Sequence, residues 1–179
     1  MISIQLPQAL VSSETEEWFT PPHIIELVRK VLGGIDLDPA SCAEANAIVQ
    51  AGEYFTKEDD GLYMPWHGKV FLNPPFGKER TKSLAGIWLS KMLEEYIVGN
   101  FDEGIALTHT RPGYEWYESM IREVPICQTR EKISFISSTG KKGSGSKTSQ
   151  TFFYFGSNYG KFYEVFSPYG RVIHPDLCP

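Results

Sequence analysis

The sequence predicts an α/β protein in which short strands alternate with amphipathic helices. Brief apolar runs that end at proline, glycine or polar residues indicate the strands, and apolar residues recurring with helical spacing indicate the helices. The most abrupt strand end follows Val70–Leu72, where the chain continues as Asn73-Pro74-Pro75-Phe76 (the Asn-Pro-Pro-Phe loop). Because proline lacks an N–H group and has a fixed φ, the strand must stop there and a loop must follow. Open α/β sheets bind their ligands at this carboxyl end of the strands.

The length and composition fit one globular domain. The chain has 179 residues, which is enough for one substantial core and too few for two ordinary domains. We expect residues 18–179 to form that domain, after an extended arm over residues 1–17. No apolar run is long enough to cross a bilayer, and we expect no signal peptide and no membrane contact. The three cysteines are widely spaced, so neither a disulfide framework nor a metal site is expected, and the cytoplasm is the expected location.

The net charge of −5 argues against an extended nucleic-acid-binding surface, although basic residues cluster in two places. The first cluster directly follows the Asn-Pro-Pro-Phe loop and consists of Lys78, Arg80 and Lys82. The second lies in a Gly/Ser-rich stretch and consists of Lys141, Lys142 and Lys147. Each cluster is either a solvated loop or a set of phosphate contacts.

A first helix is predicted over Ile24–Leu32, where apolar residues recur with helical spacing. Thr20 is the expected N-cap, Pro21 lies in the first turn, and Gly33 ends the helix. With Trp18 before it, the segment fits an anchored core helix. It also fits a binding role, because the free N–H groups at a helix start can hold a carboxylate.

The next predicted strand, Ile35–Asp38, stops at a proline and places Asp38 at its carboxyl end. A carboxylate at this position suits a cofactor that carries an ammonium, sulfonium or ribose hydroxyl group. Asp36 in the same strand and Ser41 in the following turn are further candidates for cofactor contact. The alternative is that Asp38 caps the short helix predicted over residues 42–50.

The second half of the chain continues the alternation of helices and strands. Residues 78–83 are predicted to be polar and mobile, and an amphipathic helix over Leu84–Ile97 packs in the core. Gly104–Thr108 is a predicted buried strand, with His109 and Arg111 at its carboxyl end. Either side chain could contact a substrate, or the histidine could be structural.

The Gly/Ser-rich stretch Ser137–Ser149 separates two predicted strands, Lys132–Ile136 and Thr151–Phe155, which we expect to pair as an antiparallel hairpin. The remaining predicted elements are a helix over Tyr114–Arg122, a strand over Pro125–Cys127, a short helix over Lys161–Phe166 and a last strand over Gly170–Ile173.

Five short motifs occur in one order and resemble those of the phage-type DNA N6-adenine-methyltransferase family. They are Trp18-x-Thr20-Pro21, Asp38-Pro39-Ala40-Ser41, Asp60-Gly61-Leu62, Trp66 and Asn73-Pro74-Pro75-Phe76. The resemblance covers roughly residues 18–173. It implies an abbreviated Rossmann-like methyltransferase fold, with parallel central strands and an antiparallel C-terminal hairpin. The sequence departs from the usual pattern because no Gly-x-Gly turn follows the first strand, and because only 35 residues separate Asp38 from Asn73. We therefore expect at least one strand–helix unit to be missing.

The resemblance implies that S-adenosylmethionine donates a methyl group to the N6 amine of adenine in DNA, without a metal. In the family's mechanism, Asn73 and Pro74 would accept the two amine hydrogens, and Phe76 would stack on a base flipped out of the duplex. Pro75 belongs to the same catalytic motif. The residues that would hold the cofactor are Trp18, Thr20, Pro21, Asp36, Asp38, Ser41 and Asp60, with Asp59 as the alternative to Asp60. The residues that would contact the substrate are Lys78, Arg80, Lys82, His109 and Arg111.

Other readings of the same motifs remain open. The Asn-Pro-Pro-Phe motif also serves enzymes that methylate RNA or a protein glutamine, and the missing glycine-rich turn allows a non-catalytic DNA-binding module on a degenerate fold. Because no segment is long enough for a separate target-recognition domain, sequence preference would come from loops, from a homodimer or from an accessory specificity protein. The resemblance places the protein in the cytoplasm of a bacterial host, encoded by a phage or prophage.

Overall fold

The structure, a computed structural model, describes residues 18–137 and 148–177. The predicted N-terminal arm and the second basic cluster (Lys141, Lys142 and Lys147) lie outside the described residues. The helices are α1 (Pro22–Leu32), α2 (Ala43–Val49), α3 (Leu84–Ile97), α4 (Glu115–Glu123), α5 (Tyr159–Phe166) and a final 3₁₀ turn, Pro175–Leu177. The strands are β1 (Trp18–Phe19), β2 (Leu37–Asp38), β3 (Glu53–Tyr54), β4 (Lys69–Leu72), β5 (Lys78–Glu79), β6 (Lys82–Ser83), β7 (Glu103–His109), β8 (Ile126–Thr129), β9 (Ile136–Ser137), β10 (Gln150–Phe155) and β11 (Gly170–Ile173).

The main sheet is mixed, as predicted, with the strand order β11-β8-β10-β7-β4-β2-β3. Strands β3, β2, β4 and β7 are parallel to one another, whereas β10 runs antiparallel to both β7 and β8. Strand β11 pairs antiparallel with β8 at the edge of the sheet. The parallel half therefore carries the Asn-Pro-Pro-Phe loop, and the antiparallel half closes the sheet at the C-terminal end of the chain.

The predicted hairpin between Lys132–Ile136 and Thr151–Phe155 does not form, because the second strand pairs with other strands. The antiparallel neighbours of β10 are β7 and β8, while residues Lys132–Ile136 contribute only the first residue of β9, which pairs with β1. The reason is that β7 and β8 occupy both edges of β10; the Ile133 N–H instead donates to the Gln150 side-chain oxygen at 2.7 Å. A side-chain contact thus replaces the predicted backbone ladder, and the antiparallel pairing itself is formed by Ile126–Thr129.

Both faces of the sheet are covered, which explains why its central strands are apolar throughout. Phe71 packs in the same core as residues of α1 and α5, whereas its neighbours Val70 and Leu72 pack in the core that contains residues of α3 and α4. All three side chains are fully buried. Successive residues of a strand point to opposite faces, so an uninterrupted apolar run is required where helices cover both.

Helix α1 crosses the sheet from its carboxyl edge to its amino edge. Its N-cap is Pro21, without a side-chain cap, so the predicted cap at Thr20 is wrong by one residue. The predicted end at Gly33 is confirmed, with a φ of 76° that glycine adopts without strain. A Cβ on Gly33 would lie 3.3 Å from the amine of Lys69, the first residue of β4. The helix start therefore lies at the opposite edge, where β4 ends.

The segment between β3 and β4 is shortened, as the spacing of the motifs predicts. Residues 55–68 form turns, with neither a helix nor a strand among them. Strand β3 is consequently the edge of the sheet on this side. Within residues 18–137 and 148–177, no helix is long and apolar enough to cross a membrane.

Candidate active site

Three of the predicted site residues meet at the carboxyl edge of the parallel strands. Asp38 is the last residue of β2, Asn73 directly follows β4, and His109 is the last residue of β7. The pairing of Leu37 with Val70 and of Leu72 with Ala106 keeps the three strand ends next to one another. Residues that are 71 positions apart in the chain are thus brought to one edge by the parallel pairing.

Asn73 carries a buried hydrogen-bond acceptor with no partner. Its side-chain oxygen is shielded from solvent and makes no hydrogen bond, while the backbone around it is fixed by β4 on one side and Pro74-Pro75 on the other. Leaving a buried polar atom unpaired costs roughly 1–3 kcal/mol. An acceptor that is held in place without a partner is available to an N–H group of a ligand.

A cleft of about 130 Å³ opens beside this loop. It is smaller than the roughly 300 Å³ at which pockets for drug-sized ligands begin, and so it suits a single small ring system. Its lining residues come from the Asn-Pro-Pro-Phe loop, the end of β7 and the starts of α3 and α4, and they are Pro74, Phe76, Gly77, Ser83, Ala85, Thr108, His109, Arg111 and Trp116. The structure therefore brings Phe76, His109 and Arg111 together, as predicted.

The aromatic ring of Phe76 lies against His109, with ring centroids 4.7 Å apart, and remains 44% exposed. Burial, and to a smaller extent the charge of Arg111, lower the pKa of His109, so the imidazole is neutral near pH 7. A neutral ring next to Phe76 acts as part of an apolar wall and is poorly suited to binding a phosphate. The Nδ1 atom of His109 lies 3.4 Å from the hydroxyl of Thr148.

Asp38 is a buried carboxyl group at the end of β2. It is 3% exposed, and the amide N–H of Ala40 donates to it at 3.4 Å. Burial raises the pKa of Asp38 to about 7, and the Ser41 hydroxyl and the Ala40 amide offset part of that rise. The Ser41 hydroxyl lies near the Asp38 carboxyl group. It is buried, however, and makes no hydrogen bond of ordinary geometry. These two polar groups fit a ligand that offers a positive charge or hydroxyl groups.

The turn after β3 is held against the end of β2. A Cβ on Gly61 would lie 2.0 Å from the carbonyl oxygen of Pro39, so only glycine allows this close approach. The indole N–H of Trp66 donates to the Gly61 carbonyl at 2.8 Å and fixes the turn from the other side. The predicted Asp60-Gly61-Leu62 motif thus lies next to Asp38, with Asp60 exposed.

The two acidic residues of this turn, Asp59 and Asp60, differ in their hydrogen bonds. Asp59 accepts hydrogen bonds from the amide and the hydroxyl of Thr56, at 2.8 and 2.7 Å, and these bonds lower its pKa. Asp60 has a positive φ of 52° and one long contact of 3.4 Å from the Leu62 amide. Asp59 is therefore engaged within the turn, whereas Asp60 remains available to a ligand.

The predicted Trp18-x-Thr20-Pro21 segment lies beside the same edge, because α1 begins there. Trp18 is half-buried and pairs through β1 with Ser137, and Thr20 is buried. The first turn of α1 uses the Pro21 carbonyl, which accepts from the Ile24 amide at 3.0 Å. Because Pro21 and Pro22 have no N–H group and the Ile24 amide is engaged, the first turn offers at most the His23 amide to a ligand.

Asp36 is not brought to the carboxyl edge. It precedes β2, and its carboxylate accepts from the backbone amide of Lys69 at 2.8 Å, at the start of β4. The carbonyl of Asp36 also accepts from the Glu53 amide. These contacts connect the amino ends of β2, β3 and β4. They give Asp36 a structural role that requires no ligand.

Residues 78–83 form a two-stranded hairpin, although the sequence indicates only a polar, mobile stretch. Strands β5 and β6 pair antiparallel, and Arg80 in the turn has a positive φ of 54°. No glycine or asparagine marks this turn, so the usual signal of a hairpin is missing. We call Lys78–Ser83 the basic hairpin, because it exposes Lys78, Arg80 and Lys82. Gly77 and Ser83 at its base line the cleft, and the Leu84 amide donates to the Gly77 carbonyl.

Two aromatic residues at the site, one lining the cleft and one next to Phe76, were not predicted from the sequence. Trp116 lines the cleft, and its indole N–H is shielded from solvent without a partner. Its ring packs on Gly86 of α3, where a Cβ would lie 2.8 Å from the ring. Phe135 contacts the rings of both Phe76 and His109. In the sequence, Trp116 lies in an amphipathic helix and Phe135 in an apolar strand, and both patterns indicate core packing alone.

The side chains of residues 18–137 and 148–177 do not indicate a metal centre. Among the described residues, no group of three or more histidine, cysteine, aspartate or glutamate side chains could hold a metal ion. Cys127 is buried, and burial raises the pKa of its thiol to about 12, so it is an inert core residue.

Comparison with known proteins agrees with this arrangement. The profile of a family described as DNA N-6-adenine-methyltransferase (Dam) matches residues 8–170. No individually curated protein matches the chain significantly. A solved structure from Pyrococcus horikoshii, named as a candidate RNA methyltransferase, superposes with a TM-score of 0.51 at 15% identity, over 79% of this chain and 87% of that one. This likeness confirms the predicted Rossmann-like methyltransferase fold. Because the profile covers most of the sequence, the chain belongs to the DNA N-6-adenine-methyltransferase (Dam) family.

Proposed function

We propose that this methyltransferase transfers a methyl group from S-adenosylmethionine to the N6 amine of adenine in DNA. The observation that supports this most directly is the unpaired, buried side-chain oxygen of Asn73 at the carboxyl edge of the sheet. It belongs to the Asn-Pro-Pro-Phe loop, whose Pro74 and Phe76 line the cleft. The family assignment supports methyl transfer, and the cleft supports a small planar acceptor.

The chemistry requires acceptors for the amine hydrogens. An adenine amine is a poor nucleophile because its lone pair is delocalised into the ring. The Asn73 side-chain oxygen and the Pro74 carbonyl would each accept one N–H, which localises the lone pair on the nitrogen. Because β4 and the two prolines fix this loop, the acceptors need little reorganisation when the reaction occurs.

The residues near β2 fit the cofactor. S-adenosylmethionine supplies an electrophilic methyl group on a sulfonium, and it also carries an ammonium, a carboxylate and ribose hydroxyls. Asp38 and Ser41 offer buried polar atoms with incomplete hydrogen bonding, and Asp60 offers an exposed carboxylate next to them. The His23 amide at the start of α1, after Thr20 and Pro21, would bind the carboxylate.

The residues on the other side of Asn73 fit a flipped base. The exposed face of Phe76 can stack on an adenine that has left the duplex, since the cleft is too small for more than one base. The basic hairpin and Arg111 extend from the mouth of the cleft, where the DNA backbone would pass. Lys78, Arg80 and Lys82 are all exposed and would bind phosphates.

The test is transfer of labelled methyl from S-adenosylmethionine to unmethylated duplex DNA, followed by analysis of the nucleosides. We expect N6-methyladenine as the product. Asn73→Ala should lower turnover by about a hundredfold or more, because one fixed contact at the reacting amine is lost, while cofactor binding remains. Asn100→Ala is the matched control, since Asn100 contacts Glu95 on α3, far from the cleft.

Other outcomes would point to other functions. The name of the similar solved structure refers to RNA methylation, and so the assay includes an RNA substrate. It also includes a protein extract, because the same motif occurs in enzymes that methylate proteins. Transfer to RNA or protein alone would overturn the choice of DNA. Absence of cofactor binding would overturn the enzyme proposal and favour a binding module. Cofactor at 100 times its Kd should stabilise the fold by about 2.7 kcal/mol, which thermal unfolding detects readily.

A further inference from the structure

The ring of Phe76 is in contact with two other aromatic rings. His109 lies 4.7 Å from it in a tilted arrangement, and Phe135 meets it edge-on, with centroids 6.2 Å apart and an interplanar angle of 85°. Phe135 also contacts His109, at 6.4 Å. Phe76 is 44% exposed, whereas Phe135 is only 7% exposed. The three rings therefore form a cluster in which one ring faces the cleft and another is anchored in the core.

We infer that Phe135 is a positioning residue that holds Phe76 in the orientation in which it stacks on the target base. This inference rests on the proposed function, because it assigns Phe135 a part in capturing the flipped adenine. Phe135 does not touch the base itself. It acts by restricting the ring of Phe76, so that less side-chain freedom is lost when the base stacks on it.

Phe76 needs such support because of where it lies in the chain. It is followed by Gly77, whose φ of 116° is accessible only to glycine, and then by the exposed basic hairpin. A ring on a loop of this kind has few neighbours that limit its rotamers. The Phe135 ring limits rotation of the Phe76 ring on one side, and the His109 ring limits it on another.

Phe135 can act as an anchor because its own segment is fixed on both sides. Before it, the Ile133 amide donates to the side chain of Gln150 at 2.7 Å, and that fully buried side chain donates in turn to the Thr148 carbonyl at 2.8 Å. After it, β9 pairs with β1, which places Ile136 opposite Phe19. The aromatic contact is thus tied to the strand that leads into α1 and the cofactor side of the site.

A purely structural role for Phe135 predicts a different result from a positioning role. Phe135 and Phe152 belong to the same core, and the ring of Phe152 packs on Phe166 at 4.6 Å, away from the cleft. Phe152→Leu is therefore the matched control for Phe135→Leu. Both changes should lower the melting temperature, but only Phe135→Leu should weaken capture of the base.

The experiment is a double-mutant cycle on the KM for duplex DNA, measured by methyl transfer below the melting temperature of every variant. Phe135→Leu should raise the KM about fivefold, with thermal stabilisation by S-adenosylmethionine retained. In a Phe76→Ala background the same change should alter the KM by less than about twofold, because there is no ring left to position. Phe152→Leu should leave the KM unchanged in both backgrounds.

Equal effects of Phe135→Leu in the two backgrounds, or no effect on the KM in either, would overturn the inference and leave the proposed function intact. If the unmutated protein transfers no methyl to DNA, the proposed function fails, and this inference fails with it. Should Phe135→Leu not fold, Phe135→Met fills the site with a flexible apolar chain and carries the same expectation.

Discussion

Replacement of Asp38 by asparagine tests the carboxyl edge most directly, because stability and ligand binding should change in opposite directions. The folded protein keeps the Asp38 carboxyl protonated up to a pKa of about 7, whereas the unfolded chain loses this proton near its ordinary pKa of 3.8. The folded state thus binds more protons between these values. The free energy of unfolding should therefore fall as the pH rises from about 4 to 7, and level off above 7.

The magnitude follows from the two pKa values. At about 1.36 kcal/mol for each pH unit, the rise from 3.8 to about 7 corresponds to at most about 4 kcal/mol of destabilisation at pH 8. Asp38→Asn removes this charge but introduces an amide whose N–H groups have no assured partner, at a cost of roughly 1–3 kcal/mol. We therefore expect Asp38→Asn to be more stable than the unmutated protein by about 1–3 kcal/mol at pH 8, and to lose that advantage near pH 4.

Cofactor binding should respond in the opposite sense. If the ionised carboxylate holds S-adenosylmethionine, the affinity of the unmutated protein should rise with pH up to about 7 and then become constant. In Asp38→Asn it should be weaker and independent of pH over this range. The assays are urea unfolding from pH 4 to 8 and calorimetric titration with the cofactor. Asp36→Asn is the matched control, since its side-chain oxygen can still accept from the Lys69 amide at the opposite edge of the sheet, and it should leave the affinity unchanged.

The outcome that refutes this reasoning is a stability difference between Asp38→Asn and the unmutated protein that stays constant from pH 4 to 8. Asp38 would then not titrate in the folded state as its burial requires. Unchanged cofactor affinity in Asp38→Asn would separately remove Asp38 from the cofactor site.

Three further changes test other parts of the site. Gly61→Ala places a Cβ 2.0 Å from the Pro39 carbonyl and should destabilise the fold by about 1–3 kcal/mol in urea unfolding, whereas Gly34→Ala, with open space around it, should not. Trp116→Phe replaces the indole, whose N–H has no partner, by a smaller ring without an N–H; we expect a higher KM for DNA and a modest loss of stability, and an unchanged KM would exclude a contact between the indole N–H and the base. Arg80→Ala should make the dependence of log K on log salt shallower by about 0.9, and an unchanged slope would mean that Arg80 binds no phosphate.

Local signals in the sequence identified the features that depend on neighbouring residues alone. The two prolines after Leu72 predict the end of β4, and Gly33 predicts the end of α1, because each residue type restricts or frees the backbone where it stands. The placement of Asn73, Asp38 and His109 at one edge also follows once the strands are taken as parallel. These predictions are confirmed by the positions of the three residues.

Long-range contacts decided the features that the sequence did not indicate. Asp36 and Asp38 lie two positions apart in one predicted strand, and both were candidates for cofactor contact. Asp38 is buried at the carboxyl edge, whereas the Asp36 carboxylate accepts from the Lys69 amide at the amino edge. The sequence does not indicate the Asp36 contact, because its partner lies on the neighbouring strand.

The sequence by itself determined which functional groups this protein carries, and the tertiary structure determined how those groups are positioned. The Asn-Pro-Pro-Phe loop, the acidic strand ends and the basic residues are properties of short stretches of chain. The burial that raises the pKa of Asp38 and the support of Phe76 by Phe135 come from segments distant in the sequence. Burial and ring contacts depend on which surfaces meet when the sheet and its helices pack, and short-range patterns carry no information about those partners.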